Sequence, residues 1–170
     1  RQHIYAKDIK ANLWITLTPC PVADTYKPID VITYEDKRFY YCNAKTLNLI
    51  PSCLAATAAE RANCSEAIFH RDDIVTECAH SNVSIFKDGY VITHQLDDKV
   101  FPGTARLRLL AFAEKLGYKT EERDYTLDEL MNADEIIVHS TGSFCIPVKT
   151  VDGKAVGGKA PEMLKKIQDA

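Results

Sequence analysis

The 170 residues predict one mixed α/β domain, and three observations carry that expectation. Short runs rich in Val, Ile, Phe and Tyr follow one another across turn dipeptides such as Asp88-Gly89 and Asp152-Gly153. Two longer stretches between them repeat apolar residues at helical intervals. Strands in hairpins with helices interposed point to an α+β or mixed-sheet arrangement, not to a doubly wound parallel sheet. The length suits a single core.

In chain order, Asn12–Thr18 (NLWITLT) alternates apolar and polar residues and reads as a half-buried strand. Pro19, Pro21 and Pro28 break regular structure after it. Asp30–Tyr34 and Arg38–Cys42 are two further strand candidates. Thr46–Asn63 is rich in Ala and Leu and predicts a helix, with Pro51 in its first turn, where a missing N–H costs little. Glu66–His70, Ile74–Thr76, Asn82–Phe86 and Tyr90–Thr93 are short strands. Thr104–Leu116 is an amphipathic helix stopped by Gly117. Thr126 with Glu129 has capping-box spacing and starts a short helix over Leu127–Met131. Ile136–His139 and Ile146–Val151 are strands, and Pro161–Ile167 closes the chain as a helix.

Composition narrows the function. The net charge of −3 gives no electrostatic reason for a nucleic acid or anionic-membrane partner. No apolar run has the roughly 18 residues a membrane span needs. The chain starts at Arg1 with no apolar leader behind it, which reads as a fragment or processed product. Cys20, Cys42, Cys53, Cys64, Cys78 and Cys145 form no CxxC pair and have no zinc-ligand spacing. Scattered thiols point to a reducing cytoplasm. The sequons at Asn63 and Asn82 keep a secreted, disulfide-linked binding module as an alternative.

Four places offer chemistry. Lys45 follows Tyr40 and Tyr41 and precedes an apolar helix, a junction where an amine can be partly desolvated and so freed to attack an aldehyde. Glu77 ends a β run before small residues, where a buried carboxylate needs a cationic partner. Gly103 opens the helix Thr104–Leu116, whose free N–H groups make an anion site. Ser140-Thr141-Gly142-Ser143 offers hydroxyls after a strand. A fifth match, Gly153–Lys159 (GKAVGGK), fits the phosphate-loop spacing, but Ala160 stands where the magnesium-binding hydroxyl belongs. Asp152-Gly153 reads better there as a hairpin turn.

Together these segments resemble class IV transaminases. Cys42–Asn48 (CNAKTLN) is similar to the family's lysine segment, and Thr76–Asn82 (TECAHSN) to its T-E-x-x-x-S-N segment. Phe101–Arg106 (FPGTAR) is similar to P-G-I-T-R, and Ala133–Thr141 (ADEIIVHST) to the closing segment. The resemblance is strongest to the D-amino acid branch and covers nearly the whole chain. It implies a fold-type IV large domain spanning 1–170, with pyridoxal 5′-phosphate as cofactor and Lys45 as its Schiff-base lysine and proton carrier. Glu77 would sit against the pyridine nitrogen, and Phe101 on the ring face. Gly103, Thr104, Ala105, Ser140 and Thr141 would hold the phosphate. Arg1 and His3 resemble an R-x-H pair that grips the substrate α-carboxylate.

The implied reaction moves an amino group from a D-alanine-like amino acid to a 2-oxoglutarate-like 2-oxo acid, in a cytoplasmic homodimer. A branched-chain L-amino acid transaminase, an aminodeoxychorismate lyase and a non-catalytic domain of the same fold are the alternatives. Two departures stand out: Ala105 replaces a threonine, and His80 stands where relatives carry a small residue. The family's small N-terminal domain is expected to be absent, which would leave the isolated piece weak in cofactor binding or turnover.

Overall fold

The computed structural model describes residue 4 and residues 9–21 and 24–170. Its elements are β1 (Ile29–Glu35), α1 (Ile50–Arg61), β2 (Glu66–Arg71), β3 (Ile74–Cys78), β4 (Asn82–Lys87) and β5 (Tyr90–Thr93). They continue with α2 (Thr104–Lys115), β6 (Lys119–Glu122), α3 (Leu127–Met131), β7 (Glu135–Ser140), β8 (Ser143–Val151), β9 (Lys154–Ala155) and α4 (Pro161–Gln168). The strands form one nine-stranded mixed sheet in the order β3-β2-β1-β8-β7-β4-β5-β6, with β9 paired to β8. Parallel pairs (β1–β2, β1–β8, β5–β6) sit among antiparallel hairpins, as the mixed pattern predicts.

Alternation along the strands divides the core. Val83, Ile85, Ile92, Ile136 and Val138 pack on one face with Tyr125 and Leu130. Phe86, Val91 and Ile137 pack on the other face beneath Leu109, Leu110 and Ala113 of α2 and Met163, Leu164 and Ile167 of α4. A third, smaller cluster joins Ala55 and Ala59 of α1 to Ala67 and Phe69 of β2.

Two expected strands are not formed. Residues 12–18 are irregular, and Leu13, Trp14, Ile15 and Leu17 are exposed. Alternation supplies a face but no partner, and with no paired edge among the described residues the backbone groups of this exposed segment are left to water. Arg38–Cys42 is a loop in which Tyr41 takes a positive φ of 72°. The helix expected from Thr46 starts only at Ile50, with Pro51 in its first turn. The capping box is present: Thr126 Oγ1 accepts from Glu129 N–H at 3.1 Å, and Glu129 Oε2 accepts from Thr126 N–H at 3.0 Å. The phosphate-loop match is the tight β8–β9 hairpin, with Asp152 (φ 49°) and Gly153 (φ 73°) at its turn. Among the described residues no helix is long and apolar enough to cross a membrane.

Candidate active site

The carboxyl ends of β3, β7 and the loop before α1 converge on the start of α2. There they enclose an open cavity of about 670 Å³. Lys45, Glu77, Phe101, Gly103, Thr104, Ala105, Ser140 and Thr141, eight residues singled out in the sequence, all line it. Arg1 and His3 lie outside the described residues.

Lys45 sits on the loop that precedes α1, where the sequence puts it. Its Nζ lies 5.3 Å from the centroid of the Phe101 ring. The partial desolvation expected for it is not found: the residue is exposed. Tyr40 and Tyr41 line the cavity with it but are themselves more than half exposed, so they do not wrap the amine.

Glu77 is 5 % exposed and is held by donors on every side. Oε2 accepts from Asn82 Nδ2 and from the Phe101 backbone N–H, each at 2.9 Å. Oε1 accepts from the Arg38 guanidinium. All three partners donate, an arrangement that suits a carboxylate accepting on both oxygens. Burial pushes the carboxyl above its ordinary range, against the pull of Arg38 and the Phe101 N–H.

Arg38 was not singled out in the sequence. Its Nε and Nη2 each donate to an oxygen of the buried Asp36 at 2.9 Å, and Nη2 also reaches the Lys99 carbonyl at 3.0 Å. Arg71 Nε adds a second cation to Asp36 at 3.1 Å. Burial pulls the Arg38 guanidinium down, but Asp36 and Glu77 more than offset it and hold the group above its usual range. The available signal was the Asp36-x-Arg38 spacing ahead of Lys45, read instead as part of an aromatic strand.

The start of α2 has no side-chain cap. The first backbone N–H groups of a helix have no partner within it, and the helix dipole adds positive potential there. Thr104 Oγ1 and Thr141 Oγ1 lie 2.9 Å apart and tie this start to the turn after β7. Gly103 is required: a Cβ on it would meet Asn82 Oδ1 at 2.1 Å, the same Asn82 that holds Glu77. The helix start and the carboxylate are therefore locked to each other through one amide side chain.

Under the first turn of α2 lies a buried polar layer. Arg106 is 1 % exposed and donates from Nη2 to the His94 carbonyl at 2.8 Å and to Glu122 at 2.6 Å, while Nε and Nη1 have no partner among the described residues. His139, wholly buried, shares a 2.9 Å hydrogen bond between Nε2 and the Ser84 hydroxyl. Burial, with help from the Arg106 charge, depresses its pKa to about 3.

No two of the six cysteines are joined to each other, and Asn82 is buried and bonded, which leaves no room for a glycan on it. Among the described residues no cluster of His, Cys, Asp or Glu has the makings of a metal site.

Comparison with known proteins adds to this geometry. Residues 3–151 match the family described as amino-transferase class IV. The chain is similar to D-alanine aminotransferase of Listeria monocytogenes serotype 4b (strain F2365), with 41 % identity over 138 residues covering 81 % of this chain and 48 % of that protein. It is similar to D-alanine aminotransferase of Bacillus licheniformis at 34 % identity, covering 100 % of this chain and 61 % of the relative. The chain thus spans about half the length of the curated relatives it matches. Its fold is similar to the solved branched-chain amino acid aminotransferase of T.th. complexed with N-(5′-phosphopyridoxyl)-L-glutamate. The TM-score is 0.76 at 25 % identity, over 84 % of this chain and 50 % of that one.

Proposed function

The chain belongs to the amino-transferase class IV family, and from that premise we propose that it is the cofactor-binding domain of a pyridoxal-phosphate-dependent transaminase. The proposed reaction moves an amino group between a D-alanine-like D-amino acid and a 2-oxoglutarate-like 2-oxo acid. The observation that carries this reading is a single cavity lined by Lys45, Glu77 and the uncapped start of α2.

The donor set fits the cofactor. Free N–H groups at Thr104 and Ala105, with the hydroxyls of Thr104, Thr141 and Ser140, suit a phosphate. The Glu77 carboxylate suits a protonated ring nitrogen, and the Phe101 ring suits an aromatic face. Pyridoxal phosphate supplies an aldehyde for the amine and a protonated ring that withdraws electrons from the reacting carbon.

The chain's own residues do the rest. Lys45 would hold the cofactor through its Nζ and would serve as the base that takes and returns the substrate Cα proton. Glu77 would hold the ring-nitrogen proton, and Arg38, fixed by Asp36, favours its ionised form. Thr104 Oγ1 already touches Thr141 Oγ1, so one hydroxyl of the cradle orients the other. That offsets part of the hydroxyl lost at Ala105. Arg1 and His3 would take the substrate α-carboxylate.

Relatives named D-alanine aminotransferase support the D-specific reading. The branched-chain neighbour favours a second one, an L-branched-chain transaminase of the same fold. The free thiols support a cytoplasmic setting. The exposed Phe39, Tyr41, Leu47, Ile50 and Leu54 support a homodimer.

The test is addition of pyridoxal phosphate, borohydride reduction and peptide mapping by mass spectrometry. The expected result is a pyridoxyl adduct confined to Lys45 and lost in Lys45→Ala. Label spread over many lysines, or none, would sink the reading. Assays with D- against L-amino acids separate the two substrate readings.

A further inference from the structure

Four side chains lining the cavity are cationic or can become so: Arg38, Lys45, His80 and His139. Three of them are already committed. Arg38 is bound to Asp36 and Glu77. Lys45 carries the reaction. His139 has no exposed surface and is held neutral. His80 alone is accessible, able to carry charge and without an assigned task.

His80 is also built in, not draped. It lies on the turn between β3 and β4, just after Glu77, with its side chain 69 % exposed. Its Nδ1 stands 3.0 Å from Glu66 Oε2, and the Glu66 side chain is 2 % exposed. That carboxylate cannot swing. The Ser81 hydroxyl donates to the same oxygen, and the Ala67 N–H donates to Oε1 at 2.9 Å. A histidine whose Nδ1–H is fixed by a carboxylate has its ring held in a set direction, and once protonated it presents Nε2–H as a donor along that direction. Nε2 makes no hydrogen bond with the described residues and is the edge left to solvent and cavity. Glu66 is the ionisable group in contact with the ring. It raises the imidazole pKa, so the ring stays charged to higher pH than a free histidine.

We propose that His80 is a specificity-determining residue that binds the distal carboxylate of a dicarboxylic substrate, a glutamate-like amino acid or its 2-oxo acid. This rests on the transaminase reading and names its substrate class. A monocarboxylic substrate of the alanine kind leaves His80 to water. A dicarboxylic one gains a charge-assisted hydrogen bond from an imidazolium that is already oriented, so little ordering is lost on binding. One residue therefore lets the same cavity accept a small donor and prefer a longer acidic partner.

The test uses the full chain loaded with pyridoxal phosphate and two unreactive probes of equal length, glutarate and valerate. Binding is followed by NMR of the His80 ring and by dissociation constants. Glutarate is expected to shift the His80 signals and raise its pKa, and valerate to do neither. Glutarate should bind about tenfold tighter than valerate, an advantage lost in His80→Gln. A His80 signal that ignores glutarate, or an unchanged preference in His80→Gln, overturns the proposal. Borohydride labelling of Lys45 on the same samples separates the two levels. Labelled Lys45 with no glutarate preference removes the role of His80 and leaves the transaminase reading standing. Unlabelled Lys45 with a glutarate shift at His80 removes the cofactor reading and supports the carboxylate site.

Discussion

Two arginines with little exposed surface flank the cavity, and they are treated in opposite ways. Arg38 reaches two carboxylates and a carbonyl, and its main partner Asp36 is itself bound by Arg71. Arg106 has one carboxylate partner, Glu122, which is 49 % exposed, and two nitrogens without partners among the described residues. The first charge is neutralised on the spot and serves to fix Glu77. The second is left in excess beneath the start of α2, in the first turn of a helix, where the dipole already disfavours a cation. A cation under-compensated there is best offset by an anion at the helix start. One arginine thus shapes a carboxylate, and the other raises the potential where a phosphate would sit.

The largest expected effect breaks the well-paired side. Arg38→Met leaves Asp36 and Glu77 buried with one fewer cation and should cost about 3–5 kcal/mol in urea unfolding. The pH dependence has a definite sign. A carboxyl whose folded pKa lies above its unfolded one favours folding below the unfolded value, and that stability is lost as pH rises through the folded value. Glu77 is already raised, and losing Arg38 raises it further. The deficit of Arg38→Met should therefore be greater at pH 8 than at pH 5. Next in size, adding Glu77→Gln to Arg38→Met should recover about 1–3 kcal/mol, a coupling read from a double-mutant cycle. Simple additivity would mean the pair is not a unit.

The under-paired side should respond far less. Arg106→Met removes a charge that is poorly compensated, so its unfolding free energy should stay within about 1 kcal/mol of the parent. A loss as large as that of Arg38→Met would erase the contrast between the two arginines. The smallest change expected from Arg106→Met is in the titration of His139. NMR should find its imidazole neutral down to acidic pH, titrating near the value of about 3 set by burial and Arg106. A histidine pKa depressed in the folded state contributes stability that is present above the unfolded value near 6.5 and lost as pH falls toward 3. Arg106→Met should move the His139 pKa upward only partway, because burial is the larger cause.

Much of this architecture was readable from local chemistry. The Thr126–Glu129 box sets its helix to the residue because both hydrogen bonds lie within three positions. Lys45, Glu77 and the Gly103 helix start were readable because each sits in a short segment of recognisable order. What escaped depends on distant partners. Lys119–Glu122 has no apolar alternation and is a strand only because its backbone pairs with Tyr90–Thr93. Asn12–Thr18 has the alternation and no strand partner among the described residues. Arg38 meets Glu77 across 39 residues, and no periodicity records that. His139 looks like any strand residue until Ser84 and Arg106 surround it.

The joining of β1 to β8 bears on how the chain is made. Thr33 N–H bonds Asp152 at 2.9 Å, 119 residues further on. A ribosome adding about 5–20 residues per second exposes β1 for roughly 6–24 seconds before that partner emerges. In that interval Val31, fully buried once folded, has only the earlier members of its core cluster to shelter it, Ile68 of β2, Val75 of β3 and Val83 of β4. The early strands therefore act as a temporary cover for a strand whose permanent neighbour follows more than a hundred residues later.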